Sequence, residues 1–306
     1  MIVFDKEGLE SFYKAGSMVS KLRGEIPSLV KPGKPALEIC EAVEARIRAL
    51  GGKPAFPVGV GINDVAAHYT SPPGDKLTIP ALSIVKVDFG IHLKGYVTDT
   101  AVSVCLEPAY EPLVRAADEA LANAIHAFRP GVKLSEVGRI IQATITRYGY
   151  RPIRNLTGHS IDRYSVHAGK SVPNVGELDG NRIIEGEVYA IEPFVTLADA
   201  KGSVRDNSHA YIYRFVKTKG VKEDAPKKLL SLIKERFATL PFAARWLQDK
   251  FPPDVLSSSL DTLVRNRCVG SYRVLVEESG NPVAQSEHTI LVEREGSTVL
   301  TGKLAS

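Results

Sequence analysis

The stretch "VKVDFGIHLKGYVTDTAVSV", residues 85–104, reads as two strands joined by a tight turn. It carries one aspartate on each strand, Asp88 and Asp99, among residues that belong in a core. With Leu93–Lys94 as the turn and Gly95 easing it, position i faces position 187 − i, which sets Asp88 opposite Asp99. Opposite residues of an antiparallel pair share a face, with Cβ atoms about 5 Å apart. Alternation sends Val85, Val87, Phe89 and Ile91 to the other face, toward the core. Two like charges so close repel, and partial burial strengthens the repulsion. Either the pair shares a proton or a cation sits between the two carboxylates.

A cation needs more donors at the same place. "LTGHSI" offers His159, "YAIEPF" offers Glu192 and "AQSEHTILV" offers Glu287, each on or beside a strand. Alone, each has a blander reading: a strand histidine is usually a satisfied core residue, and a strand glutamate usually faces solvent. Together with Asp88 and Asp99 they make an oxygen-rich set with one imidazole, which suits a pair of hard or borderline divalent ions. Four carboxylates carry as much negative charge as two such ions carry positive. A dinuclear centre therefore explains why the hairpin tolerates its two aspartates.

The rest of the chain alternates helices with strands, the pattern of an α/β fold. Helices are expected over "DKEGLESFYKAGSMVSKLRGEIP", with Asp5 as N-cap and Pro27 as stop, and over "KPALEICEAVEARIRALGG", closed by Gly51 and Gly52. A second pair is expected over "YEPLVRAADEALANAIHAFRPG" and "LSEVGRIIQATITRYG", and strands around "GEVYAIEPF", "SYRVLVEE" and "SEHTILVER". The chain also repeats itself. "KPGKPALEI" matches "RPGVKLSEV" at an offset of 98, which maps Pro32 to Pro130, Gly33 to Gly131 and Gly51 to Gly149. Two copies imply two similar α/β halves about a pseudo-twofold axis with a cleft between them, not a solenoid. Residues 209–271 break the alternation with what read as three short helices, "APKKLLSLIKERF", "PFAARWLQDKF" and "PDVLSSSLDTLVRN". That segment reads as a helical insertion on a catalytic domain formed by residues 1–208 and 272–306.

Composition narrows the function classes. The chain of 306 residues is ample for a sizeable core, with 44% hydrophobic and 24% charged residues. A formal net charge of +4 gives no case for specific nucleic-acid binding, although a pI near 8.8 permits proximity to an acidic surface such as the ribosome. The three cysteines, Cys40, Cys105 and Cys268, form no disulfide or zinc pattern, which points to a reducing cytoplasm. No apolar run approaches a membrane span, and "MIVFDKEGLESF" lacks the core of a signal peptide.

The motifs "VAAHYT", "VDFG…VTDTA", "GHSI…VHAG", "AIEPF" and "SEHTIL" resemble those of methionine aminopeptidase type 2, in order and spacing, over nearly the whole chain. The resemblance implies the pita-bread fold, two duplicated α/β halves around a dinuclear metal site, in the short archaeal-type form without an N-terminal extension and with a winged-helix-like insertion. It implies that Asp88, Asp99, His159, Glu192 and Glu287 bind the metals, Asp99 and Glu287 bridging both. The ions would be cobalt, manganese, iron or zinc. It places His68 and His167 near the scissile bond, has Glu192 shuttle a proton, and sets Phe56, Val166, Phe194, His209 and Tyr272 around the methionine side chain. His68 is also the position that fumagillin-type epoxides alkylate in that family. Thr157 stands where the family carries asparagine. The implied activity is removal of the N-terminal methionine of nascent polypeptides when the second residue is small, by metal-activated water attack in a monomeric enzyme. The alternatives are an Xaa-Pro aminopeptidase or prolidase on the same scaffold, which usually adds a larger N-terminal domain, and a non-enzymatic binding protein, whose kind loses ligands.

Overall fold

The structure is a computed structural model, and it describes residues 4–177 and 180–302. Its first half contains helices α1 (Lys6–Leu29) and α2 (Ala36–Ala49), and its second half α3 (Glu111–Ala127) and α4 (Leu134–Arg147). Asp5 caps α1 by accepting from Gly8 N at 2.8 Å. Pro27 does not stop that helix but lies in its last turn, because Val30 N still closes onto Ile26 O. Beyond α2 and α4 the backbone turns through Gly51 and Gly149, at φ 88° and 80°.

The internal repeat is a structural duplication. The bounds of α2 and α4 differ by 98 at both ends, as do strands Lys53–Pro54 and Arg151–Pro152. The bridge Pro35↔Thr78 recurs as Lys133↔Arg182, and Gly33 N→Ile79 O recurs as Gly131 N→Ile183 O. Each half buries its own apolar cluster. One joins α1 and α2 to Val58, Val60, Val85, Val87, Phe89 and Ile91; the other joins α3 and α4 to Tyr189, Ile191, Val195, Ala284 and Ile290. The faces of Val87 and Phe89 are therefore the core faces that alternation requires.

The hairpin Ile84–Leu93/Tyr96–Cys105 forms, but its register is i ↔ 189 − i: Asp88 faces Ala101 and Asp99 faces Gly90. The turn is Lys94–Gly95, with φ 53° and 91°, the pair of positive values that a tight hairpin turn of this hand demands. Glycine meets that demand best in the second place, so the turn lies one residue further on. The slip of two keeps both aspartates on one face, as diagonal neighbours. A Cβ at Gly95 would also lie 2.3 Å from the Tyr164 ring. Gly95→Ala should therefore destabilise the protein by about 1–3 kcal/mol, read as a lowered denaturation midpoint; an unchanged midpoint would show that the ring yields freely.

The two halves meet where strand Tyr96–Cys105 runs beside the segment 285–289, and hydroxyls rather than a backbone ladder join them. Thr289 Oγ1 accepts from Asp99 N and donates to Asp99 O, both at 2.7 Å. Thr100 Oγ1 donates to Glu287 O at 2.8 Å, and Ser103 Oγ to Gln285 O at 2.6 Å. Arg23 of α1 reaches the same seam and donates to Thr100 Oγ1, to Ala101 O and to Glu287 O.

Between the second half's strands Phe194–Thr196 and Val283–Gln285, the chain makes an excursion. Strands Val204–Phe215 and Val269–Glu277 pair antiparallel and carry α5 (Asp224–Phe237) and α6 (Pro253–Arg265) at their far end. These pack on a cluster of their own that includes Leu229, Ile233, Phe242, Leu247, Leu260 and Leu263. The middle helix expected over residues 241–251 is instead a short strand, Phe242–Ala243, followed by a 3-10 turn, Ala244–Leu247. Phe242 pairs with Tyr213, while Arg245 and Trp246 are drawn to Glu44 of α2; these tertiary contacts outweigh local helix propensity.

Candidate metal centre and its cleft

The five carboxylate and imidazole side chains singled out in the sequence converge. Asp88, Asp99, His159, Glu192 and Glu287 all line one cleft between the halves. Asp99 and Asp88 come from the hairpin; His159 comes from strand Thr157–Ile161, held beside strand Val188–Ile191. The pairs Ile191↔His288 and Phe194↔Gln285 put Glu192 level with Glu287. His159 Nε2 lies 3.5 Å from both Asp99 Oδ2 and Glu192 Oε1. Ligand atoms of Asp99, His159 and Glu287 lie within 4.8 Å of one another, and all three residues are buried.

Such a concentration of buried acids is costly unless something neutralises it. Burial, then the neighbouring Asp88 charge, pushes the Asp99 carboxyl well up. Burial and the Asp99 charge do the same to Glu192 and Glu287, and burial lifts Asp88 to about 7. Burial also drives His159 well down, so its imidazole is neutral. The buried Asp88 Oδ1 and Asp99 Oδ1 have no hydrogen-bond partner. Orphaned carboxylate oxygens converging beside a neutral imidazole are what divalent ions require, and this donor set fits two of them. Gln285, which the sequence reading passed over, supplies the amide that braces the set: its Nε2 donates to Glu192 Oε2 at 3.2 Å and lies 3.5 Å from Glu287 Oε2. Its signal was spacing, since it ends strand Val283–Gln285 two residues before Glu287.

A pH dependence follows. Asp88 keeps its proton in the folded metal-free protein from about pH 4, where an ordinary aspartate ionises, up to about 7. Its raised value therefore adds stability that is full below the ordinary pKa and is lost as pH rises through about 7. Ions need the charged form, so they bind more tightly over the same rise. The stabilisation that added manganese or cobalt gives over chelator-treated protein should thus grow between pH 6 and 8. A gain that shrank with pH would contradict this.

The remaining predicted residues divide. His68, His167, Phe56, Val166 and Tyr272 line the cleft with the five ligands, together with Pro57, Gly59, Ala67, Ile212 and Pro241, which the sequence reading missed. His68 has φ 65° and sets Nδ1 3.1 Å from Arg273 O. A carbonyl only accepts, so Nδ1 carries the proton and Nε2 keeps its lone pair. Burial lowers His68, and burial with His68 nearby lowers His167 to about 4. Two neutral imidazoles therefore flank the carboxylates. Phe194 lies elsewhere, buried among Ala66, Ile153, Val204 and Val283. His209 is exposed, stacked on Tyr211 at 5.8 Å and hydrogen-bonded with Asn207 and Ser208.

Residues 10–217 match metallopeptidase family M24. The chain belongs to that family. It is 43% identical over 296 residues to a methionine aminopeptidase of Methanothermobacter thermautotrophicus, covering 96% of this chain and 98% of that one. Among solved structures, a thermophilic Arx1 superposes with a TM-score of 0.83 at 18% identity, covering 99% of this chain and 93% of that one. A methionine aminopeptidase from Thermotoga maritima gives 0.71 at 24% identity, covering 98% and 99%. Those two likenesses establish the M24 pita-bread fold. Membership makes the protein a metal-dependent hydrolase, in keeping with the carboxylate cluster. Among the described residues, no helix is long and apolar enough to cross a membrane.

Proposed function

We propose that the protein removes the N-terminal methionine from polypeptides whose second residue is small. One observation carries the reading: all five ligand side chains and both histidines line a single cleft whose other residues are mostly apolar. Bound divalent ions would supply Lewis acidity and a water acidic enough to react near neutral pH. Asp88, Asp99, His159, Glu192 and Glu287 would hold them. His167, neutral and beside His159 at 4.2 Å between ring centroids, would donate to a developing oxyanion. His68 would contact the scissile amide, and Glu192 would carry a proton. Phe56, Val166, Ile212 and Tyr272 offer an apolar wall suited to an unbranched thioether.

Residues 209–271 are read as an inserted unit, supported by the separate hydrophobic cluster around α5 and α6. A cytoplasmic setting, near the ribosome and as a monomer, belongs to the same proposal; the three free cysteines support its reducing compartment. The deciding experiment is release of free methionine from Met-Gly-type peptides by protein reconstituted with manganese, iron, cobalt or zinc, with Xaa-Pro peptides alongside. Methionine release supports the proposal; cleavage of Xaa-Pro peptides alone, or of neither, overturns it.

A further inference from the structure

Glu44 of α2 is 2% exposed, far too deep for an ordinary surface carboxylate. It accepts from Arg245 Nη2, from Trp246 Nε1 at 2.7 Å and from Val58 N at 3.3 Å. Arg245 is buried as well, and its other terminal nitrogen donates to Thr70 Oγ1 at 2.8 Å and Ser71 O at 3.2 Å. Thr70 in turn donates to Val58 O at 2.7 Å. A buried ion pair returns little net stability, because desolvation offsets the attraction. What it fixes is geometry, through short directional bonds.

The cluster grips three stretches that line the cleft. Val58 lies between Pro57 and Gly59, Thr70 lies two residues after His68, and Arg245 lies four residues after Pro241. None of the five metal ligands is among its partners. We propose that Glu44 is a positioning residue for substrate: by holding Arg245 and Trp246 it sets how closely Pro241 approaches the Phe56–Gly59 wall, and so the width of the apolar part of the cleft. The inference rests on the peptidase reading and deepens it, since the group whose fit is set is the unbranched apolar side chain of the substrate's first residue.

The test uses full-length, metal-reconstituted protein and a Met-Gly-type peptide. Glu44→Gln should raise KM roughly tenfold, the scale of losing a charge-assisted hydrogen bond, with kcat and bound metal little changed. Emission from Trp246, the chain's one tryptophan, should move to longer wavelength as its partner weakens. The double variant Glu44→Met, Arg245→Met removes both charges and leaves no unpaired ion buried, since Arg48, the other cation beside Glu44, is exposed. It should keep near-native stability while KM stays raised. An unchanged KM in Glu44→Gln, a fall in kcat with metal loss, or a native KM in the double variant would each overturn the positioning role. A wild-type protein that released no methionine would overturn the peptidase reading instead.

Discussion

Asp99→Ala should lose peptidase turnover by roughly 10³-fold or more and lose at least one bound ion, since several kcal/mol of charge stabilisation pass through the metal site. Asp99 stands at the centre of the cluster, 3.5 Å from His159 Nε2 and grouped with Glu287. It is also buried beside Asp88, whose charge helps to push its own carboxyl up. The same substitution should therefore move stability in opposite directions in the two forms. Without metal, removing one of several mutually repelling buried carboxylates should raise the melting temperature. With metal, the variant should gain less from added ions than the wild type. Calorimetry with and without chelator reads both effects, and metal analysis reads occupancy. Full occupancy by two ions with normal turnover would defeat the dinuclear assignment.

The sequence disclosed this centre because charge in a core-facing stretch is rare and needs a reason. Asp88, Asp99, Glu192 and Glu287 interrupt apolar strands, whereas Pro57, Ile212 and Pro241 are apolar residues whose place on a cleft wall is set only by tertiary contacts. The hairpin shows why a wrong register still led to the right face. Moving the turn from Leu93–Lys94 to Lys94–Gly95 shifts the pairing by two, and a period of two leaves every side chain on its side. A shift of one would have buried the aspartates in the apolar layer. The duplicated helices were legible through Gly33, Gly51, Gly131 and Gly149, each at positive φ. The stretch 241–251 was not, because Glu44, two hundred residues away along the chain, decides its conformation through Arg245 and Trp246. Phe194 shows the converse. Its motif is intact, but tertiary packing buries it with Val204 and Val283 instead of on the cleft wall.

His68→Asn should lower turnover by roughly 10²-fold, the scale of losing a positioned proton-handling group, and leave metal content intact. The substitution is chosen for the backbone. His68 holds φ 65°, a conformation that costs most side chains energy and that asparagine accepts readily. Stability should therefore change little, and a loss of activity reports on the imidazole itself. That ring is poised: Nδ1 meets the Arg273 carbonyl, Tyr272 packs edge-on at 5.5 Å, and burial keeps the ring neutral near pH 7. Nε2 is left as a lone-pair nitrogen on a residue that lines the cleft. A fumagillin-type epoxide should accordingly add once, forming a nitrogen–carbon bond as the ring carbon–oxygen bond opens and the oxygen takes a proton. Peptide mapping should find the added mass on His68 in the wild type and nowhere in His68→Asn. Labelling on His167, or a His68→Asn protein that keeps full turnover while melting at a lower temperature, would make His68 a structural residue and remove it from the chemistry.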